Sequence, residues 1–137
     1  FMELFGVAYT SEASRPLSTE DLDGLLLSAR SRNALVGVTG VLLYGEGRFF
    51  QYFEGTRDGV DEVYARIKAS RLHQNLLELE DQRVSQRLFN RWFMGFRETP
   101  ASVLQKLSNE QWARELPWIE GQSNPSAGIA CLLALVA

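Results

Sequence analysis

Apolar side chains along this chain follow two rhythms. Residues 4–9, 37–44, 48–54, 76–84 and 88–97 read as strands, rich in Val, Leu, Phe and Tyr and broken by Gly or polar turns. Two stretches between them carry apolar residues at helical spacing. In the first, Ser18 can cap, Glu20 and Asp21 suit the positive end of the dipole, and Leu22, Leu25, Leu26 and Ala29 form a stripe. This helix is expected to end near Asn33, after Arg30 and Arg32. In the second, Thr56 can cap and Val60, Val63, Tyr64 and Ile67 form the buried face. Gly45-Glu46-Gly47 is short enough to make the second and third strands a hairpin. The fourth strand is the weakest, since Leu-Leu-Glu-Leu-Glu-Asp suits a helix equally well.

The order β-α-β-β-α-β-β predicts an α+β fold: a ferredoxin-like sheet with both helices on one face and a right-handed first crossover. Arg48-Phe49-Phe50-Gln51-Tyr52-Phe53-Glu54 is apolar on both faces, so it should be a central strand covered on both sides. Two short helices, over 101–107 and 108–116 with Ser108 as a cap, are expected to cover the face carrying Phe50 and Tyr52. They would use Val103, Leu104, Leu107 and Trp112. Residues 2–98 thus form the main domain and 99–120 a helical cap. Residues 121–137 begin as a polar Ser/Gly/Pro linker and are expected to lack order.

Composition narrows the class. The chain has 137 residues, an apolar fraction of 45% and a formal net charge of −3, with a pI near 5.2. A single domain is expected, and nucleic acid or an anionic membrane is a poor partner for an acidic surface. Phe50 and Tyr52 could stack RNA bases, but the acidic pI and the covering helices argue against it. Cys131 is the only cysteine, so no disulfide framework exists. No secretory signal is visible, Met2 reads as the initiator, and the apolar run 129–137 is far too short to span a membrane. A cytoplasmic location is expected.

Catalytic constellations are missing. The one histidine, His73, has no local partner of the nucleophile type, and Gly37-Val38-Thr39-Gly40 lies in a strand pattern, where a phosphate loop does not form. The unusual residues are polar or soft groups on apolar strand faces: Tyr9, Gln51, Trp92 and Met94, with Asn33 at the first helix's end. Two readings of Gln51 stand. It is a core amide satisfied by the Tyr9 hydroxyl, which periodicity alone favours, or it is presented to a planar ligand beneath Leu25, Leu26 and Ile67.

Val38-Thr39-Gly40-Val41-Leu42-Leu43-Tyr44 and Phe49-Phe50-Gln51-Tyr52-Phe53-Glu54-Gly55 closely resemble the BLUF family of flavin-using blue-light sensors. Tyr9, Arg32-Asn33, His73 and Arg91-Trp92-Phe93-Met94 extend the resemblance over residues 3–97. It implies a noncovalent flavin between the two helices, with FAD, FMN and riboflavin all open. It also implies Tyr9 as electron and proton donor, Gln51 as the amide that rearranges, and Trp92 or Met94 exchanging at the pocket. Asn33, Arg32, Leu25, Leu26, Phe49, Arg66, Ile67 and His73 would hold the flavin. The family commonly has an acidic residue and an arginine where this chain has Ser70 and Leu72; Arg66 and Arg71 are the nearby cations.

The resemblance further implies a non-enzymatic switch acting on a separate effector protein and assembling as a homo-oligomer. The signal would leave through the last strand and its contacts with Val103, Leu107 and Trp112. The competing class is a small enzyme on the same fold. A flavin-dependent oxidoreductase would need an open face for substrate, and an acylphosphatase-like hydrolase would need an Arg-Asn cradle.

Overall fold

The computed structural model describes residues 3–110, 112 and 126–136. In chain order the elements are β1 (Leu4–Ala13), α1 (Thr19–Val36), β2 (Thr39–Gly45), β3 (Arg48–Gly55), α2 (Arg57–Ala69), β4 (His73–Val84), β5 (Gly95–Glu98), α3 (Ala101–Asn109) and α4 (Ala127–Val136). The strands form one sheet in the order β4-β1-β3-β2-β5. Among the described residues only β2 and β5 pair in parallel; β3 sits at the centre, antiparallel to both β1 and β2. The architecture is the α+β, ferredoxin-like one expected. No helix of the described residues is long and apolar enough to cross a membrane.

Alternation along β3 builds two cores. Phe49 and Phe53 join Val7, Tyr9 and Leu42 beneath Leu26 of α1 and Val60, Val63 and Tyr64 of α2. Phe50 and Tyr52 join Ala8, Val41 and Leu43 on the opposite face, beneath α3 and α4. Every residue of β3 after Arg48 is buried, as a strand covered on both faces requires.

The helix caps follow the sequence at their N-termini. Ser18 and Asp21 form a reciprocal capping box, with Asp21 N donating to Ser18 Oγ at 3.1 Å and Ser18 N to Asp21 Oδ2 at 2.9 Å. Thr56 Oγ1 accepts from Gly59 N. α1, however, runs on to Val36, past Asn33. It ends where Gly37 turns left-handed (φ 66°) and donates its N–H to the Asn33 carbonyl. Asn33 is therefore a buried residue of the last turn. The β2–β3 hairpin turns on Glu46 and Gly47, both at positive φ, which matches the right-handed twist of its strands.

Three expectations are corrected. The last strand is only Gly95–Glu98, and residues 85–94 form a loop. The cause is a competing acceptor: Glu54 Oε1 takes the backbone N–H of Leu88 at 2.6 Å and of Phe89 at 2.7 Å, amides a strand would give to a ladder. Ser108 does not cap a second helix but lies inside α3, its hydroxyl donating to the Leu104 carbonyl at 2.9 Å. Most of residues 108–116, and Pro117-Trp118-Ile119 with them, lie outside the described residues; Trp112 is buried, its indole N–H donating to Leu107 O. Residues 127–136, expected to lack order, form α4, with Ile129 and Leu132 fully buried on the sheet and Ser126 Oγ accepting from Ile129 N. A run that is apolar nearly all round gives no amphipathic signal, and its helix is stabilised by the face it covers.

Candidate functional site

Tyr9 and Gln51 stand opposite each other in the β1–β3 register, and Leu42 flanks Gln51 from β2. All three point to the face covered by α1 and α2. Between these helices and the sheet lies a cavity of about 390 Å³. Its floor is Tyr9, Leu42, Phe49, Gln51 and Met94. Leu25, Arg32 and Asn33 of α1 form one wall, Arg66 and Ile67 of α2 the other, and Ser70, Leu72 and His73 close the end beyond α2.

Two expected residues are not in the lining. Leu26 is about 100° around the helix from Leu25 and packs into the first core beside the cavity. Trp92 points away: it is 42% exposed and stacks on Phe89 with ring centroids 5.5 Å apart. Met94, 1% exposed, takes the inward position. Met94 belongs to the first core, whereas Leu107 and Trp112 belong to the second together with Phe89, the ring on which Trp92 stacks. Sequence reasoning missed Gly24, Ser28, Ala29, Leu42 and Val63. A legible signal existed for the first three: Gly24 and Ser28, one helical turn apart, and the adjoining Ala29 are small and leave a wall with room beside it. A Cβ placed on Gly24 would meet nothing within 4 Å.

Hydrogen bonding orders the floor. The Tyr9 hydroxyl donates to Gln51 Oε1, and Gln51 Nε2 donates to Met94 Sδ at 3.3 Å. A thioether has no hydrogen to give, so the amide N–H must face Met94 and the carbonyl Tyr9. Gln51 is thus satisfied on one side by a phenol and on the other only by a weak acceptor. The loop that brings Met94 here is held from α1 and β2: Arg30 Nε donates to Met94 O at 2.9 Å, Asn33 Nδ2 to Phe93 O at 2.7 Å and Gly40 N to Trp92 O at 2.8 Å. His73 has both ring nitrogens engaged, Nε2 with Ile67 O at 2.6 Å and Nδ1 with Ser11 Oγ at 2.7 Å. The carbonyl can only accept, so Nε2 carries the hydrogen. Arg66 pairs with Glu62 at 2.9 Å across one exposed helical turn, a contact of small energetic weight.

Burial pushes the Tyr9 hydroxyl well above the ordinary phenol value, and the neighbouring Tyr64 adds to the effect. Tyr64 is also raised, by burial first and then by its bond to the Glu78 carboxylate. A group raised by folding contributes its stability in full below its unfolded value and loses it as pH climbs. The unfolding free energy is expected to hold up to about pH 10 and to fall above it, with these two phenols still protonated in the folded protein. Tyrosinate absorption followed against pH checks this; full ionisation of the folded protein near pH ~10 contradicts it.

A family model described as BLUF, sensors of blue-light using FAD, matches residues 4–95. The photoactivated adenylate cyclase subunit beta of Euglena longa is 32% identical over 83 residues, covering 61% of this chain and 10% of that protein. The alpha subunit of the Euglena gracilis cyclase is 32% identical over 94 residues, 67% of this chain and 9% of that protein. The chain therefore spans about a tenth of the length of these relatives. Among solved structures, the dark state of BlrB, a BLUF protein, superposes with a TM-score of 0.68 at 32% identity, covering 72% of this chain and 75% of that one. The ground state of BlsA gives 0.68 at 27% identity, over 77% and 72% respectively.

Proposed function

Because the chain belongs to the BLUF family, sensors of blue light using FAD, we propose that it is a blue-light photoreceptor whose Tyr9–Gln51 pair converts excitation of a noncovalent flavin into a hydrogen-bond change. One observation carries the reading: Tyr9 and Gln51 face each other on paired strands in the floor of a cavity, with the Gln51 N–H resting on a thioether.

The residues present fit a flavin. The cavity lies within the range of about 300–1,000 Å³ typical of small-molecule sites. Its walls are mainly apolar, its polar groups are few and convergent, and Gly24 leaves the α1 wall open to a flat ring. Leu25, Phe49 and Ile67 would pack against it, Asn33 and Gln51 would meet its polar edge, and Arg32, Arg66 and His73 lie where its remainder would extend. FAD is the proposed form. When bound, the flavin supplies the blue absorption and the acceptor for an electron.

Tyr9 is the donor: its ring can lose an electron, and its hydroxyl proton already points at Gln51 Oε1. Gln51 can respond by reorientation or by a change of tautomer. Rotation presents N–H to the Tyr9 oxygen, which can accept it, but presents C=O to Met94 Sδ, which has nothing to donate. The Tyr9 contact survives with reversed polarity and the Met94 contact is lost. Met94 is thus the element whose contacts differ between the two states, as a switch requires.

Met94 directly precedes β5, and Arg97 of β5 donates to the Leu135 carbonyl of α4 at 2.6 Å. We assign the output to this route and the receiver to a separate effector protein, with no substrate turnover in this chain. The absorption spectrum of the purified protein tests the reading. Flavin bands that move to longer wavelength under blue light and return in the dark are expected; a flavin whose bands do not move overturns it.

A further inference from the structure

We propose that Glu54, on the sheet face opposite the cavity, is a positioning residue that holds the Met94 loop in register with Gln51 and so sets how long the lit state lasts. This rests on the photoreceptor reading above. Glu54 lies three residues after Gln51, so the two side chains leave β3 on opposite faces. Each grips the same loop. Gln51 Nε2 holds Met94 at its end, and the fully buried Glu54 carboxylate holds Leu88 N and Phe89 N near its start, at 2.6 and 2.7 Å.

The start and end of the loop are coupled by short links. The Phe89 ring packs on Tyr52 at 5.8 Å and on Trp92 at 5.5 Å, and Trp92 N donates to Phe89 O at 3.4 Å. The carboxylate is itself braced. Glu54 Oε2 accepts from the Tyr52 hydroxyl at 3.1 Å, and Arg87 crosses from the loop to Thr39 Oγ1 at 3.0 Å and Glu54 O at 3.3 Å. Burial raises the Glu54 carboxyl above its ordinary value against the pull of these bonds. A segment with no ladder of its own depends on such side-chain acceptors, and moving its start displaces the sulfur at its end. Without Glu54, the barrier for Met94 to return to the Gln51 amide should fall.

The test compares the wild-type chain with Glu54→Ala and Glu54→Gln. Glu54→Ala is expected to speed dark recovery about tenfold, the rate equivalent of one strong hydrogen bond. Glu54→Gln keeps an oxygen for both amides but drops the charge, and should speed it about threefold. In the dark, before any illumination, both variants should exchange the Leu88 and Phe89 amide hydrogens faster and shift the Met94 methyl resonance. Wild-type recovery with an unmoved Met94 resonance in Glu54→Gln overturns the proposal, whether or not Glu54→Ala folds. If the wild-type chain shows no light-induced shift, the photoreceptor reading fails, and the Met94 resonance still decides whether Glu54 positions the loop.

Discussion

Tyr9→Phe is expected to retain the cofactor and lose the photoresponse. The ring, its stacking on Tyr64 at 6.1 Å and its edge contact with Phe53 are kept. What disappears is the O–H directed at Gln51 Oε1. Phenylalanine is a much poorer electron donor and has no proton to move, so the yield of the red-shifted state should fall by about 10²-fold or more. The buried amide oxygen also loses its partner, which should lower the unfolding free energy by about 1–3 kcal/mol. Light-minus-dark absorption and urea unfolding on the same sample separate the two effects. A Tyr9→Phe protein that still shifts at the wild-type yield would leave the fold and family intact but remove Tyr9 from the mechanism.

Removing residues 126–137 should produce the largest stability change. Ile129 and Leu132 of α4 are fully buried. At about 1.5–3 kcal/mol for each buried aliphatic side chain, their loss alone removes about 3–6 kcal/mol. It also uncovers the second core around Phe50, Leu107 and Trp112. That is a large share of the roughly 5–15 kcal/mol that stabilises a typical domain. The shortened protein should unfold at lower urea and bind hydrophobic dyes. The cavity lies on the opposite face, so a flavin loaded at low temperature should still shift under blue light. Unfolding at the wild-type urea midpoint would mean that α4 does not cover this face in solution.

The two predictions probe opposite faces of β3, and they differ in how visible their residues were beforehand. The central position of β3 followed from its own alternation, because a strand apolar on both sides must be covered on both sides. The caps at Ser18 and Thr56 and the Glu46-Gly47 turn are local chemistry, so they too were legible. So was the Tyr9, Gln51 and Asn33 set, as polar groups among apolar neighbours.

What required the assembled chain were choices between local possibilities of nearly equal energy. Residues 88–94 have a strand's alternation, yet the distant Glu54 carboxylate takes the amides of Leu88 and Phe89 at their start. Trp92 and Met94 share parity, and only the loop's path sends one outward and the other to Gln51. Leu25 and Leu26 both read as helix core, but only Leu25 faces the cavity. Residues 127–136 carry no one-sided stripe, and their helix is defined by the sheet face they bury. The sequence by itself determined the strand and helix order, the caps and the placing of Tyr9 and Gln51 on apolar strand faces, because each depends on near neighbours or on a period along one element. The tertiary structure decided the loop, the inward methionine and the C-terminal helix, because each depends on a partner distant in sequence.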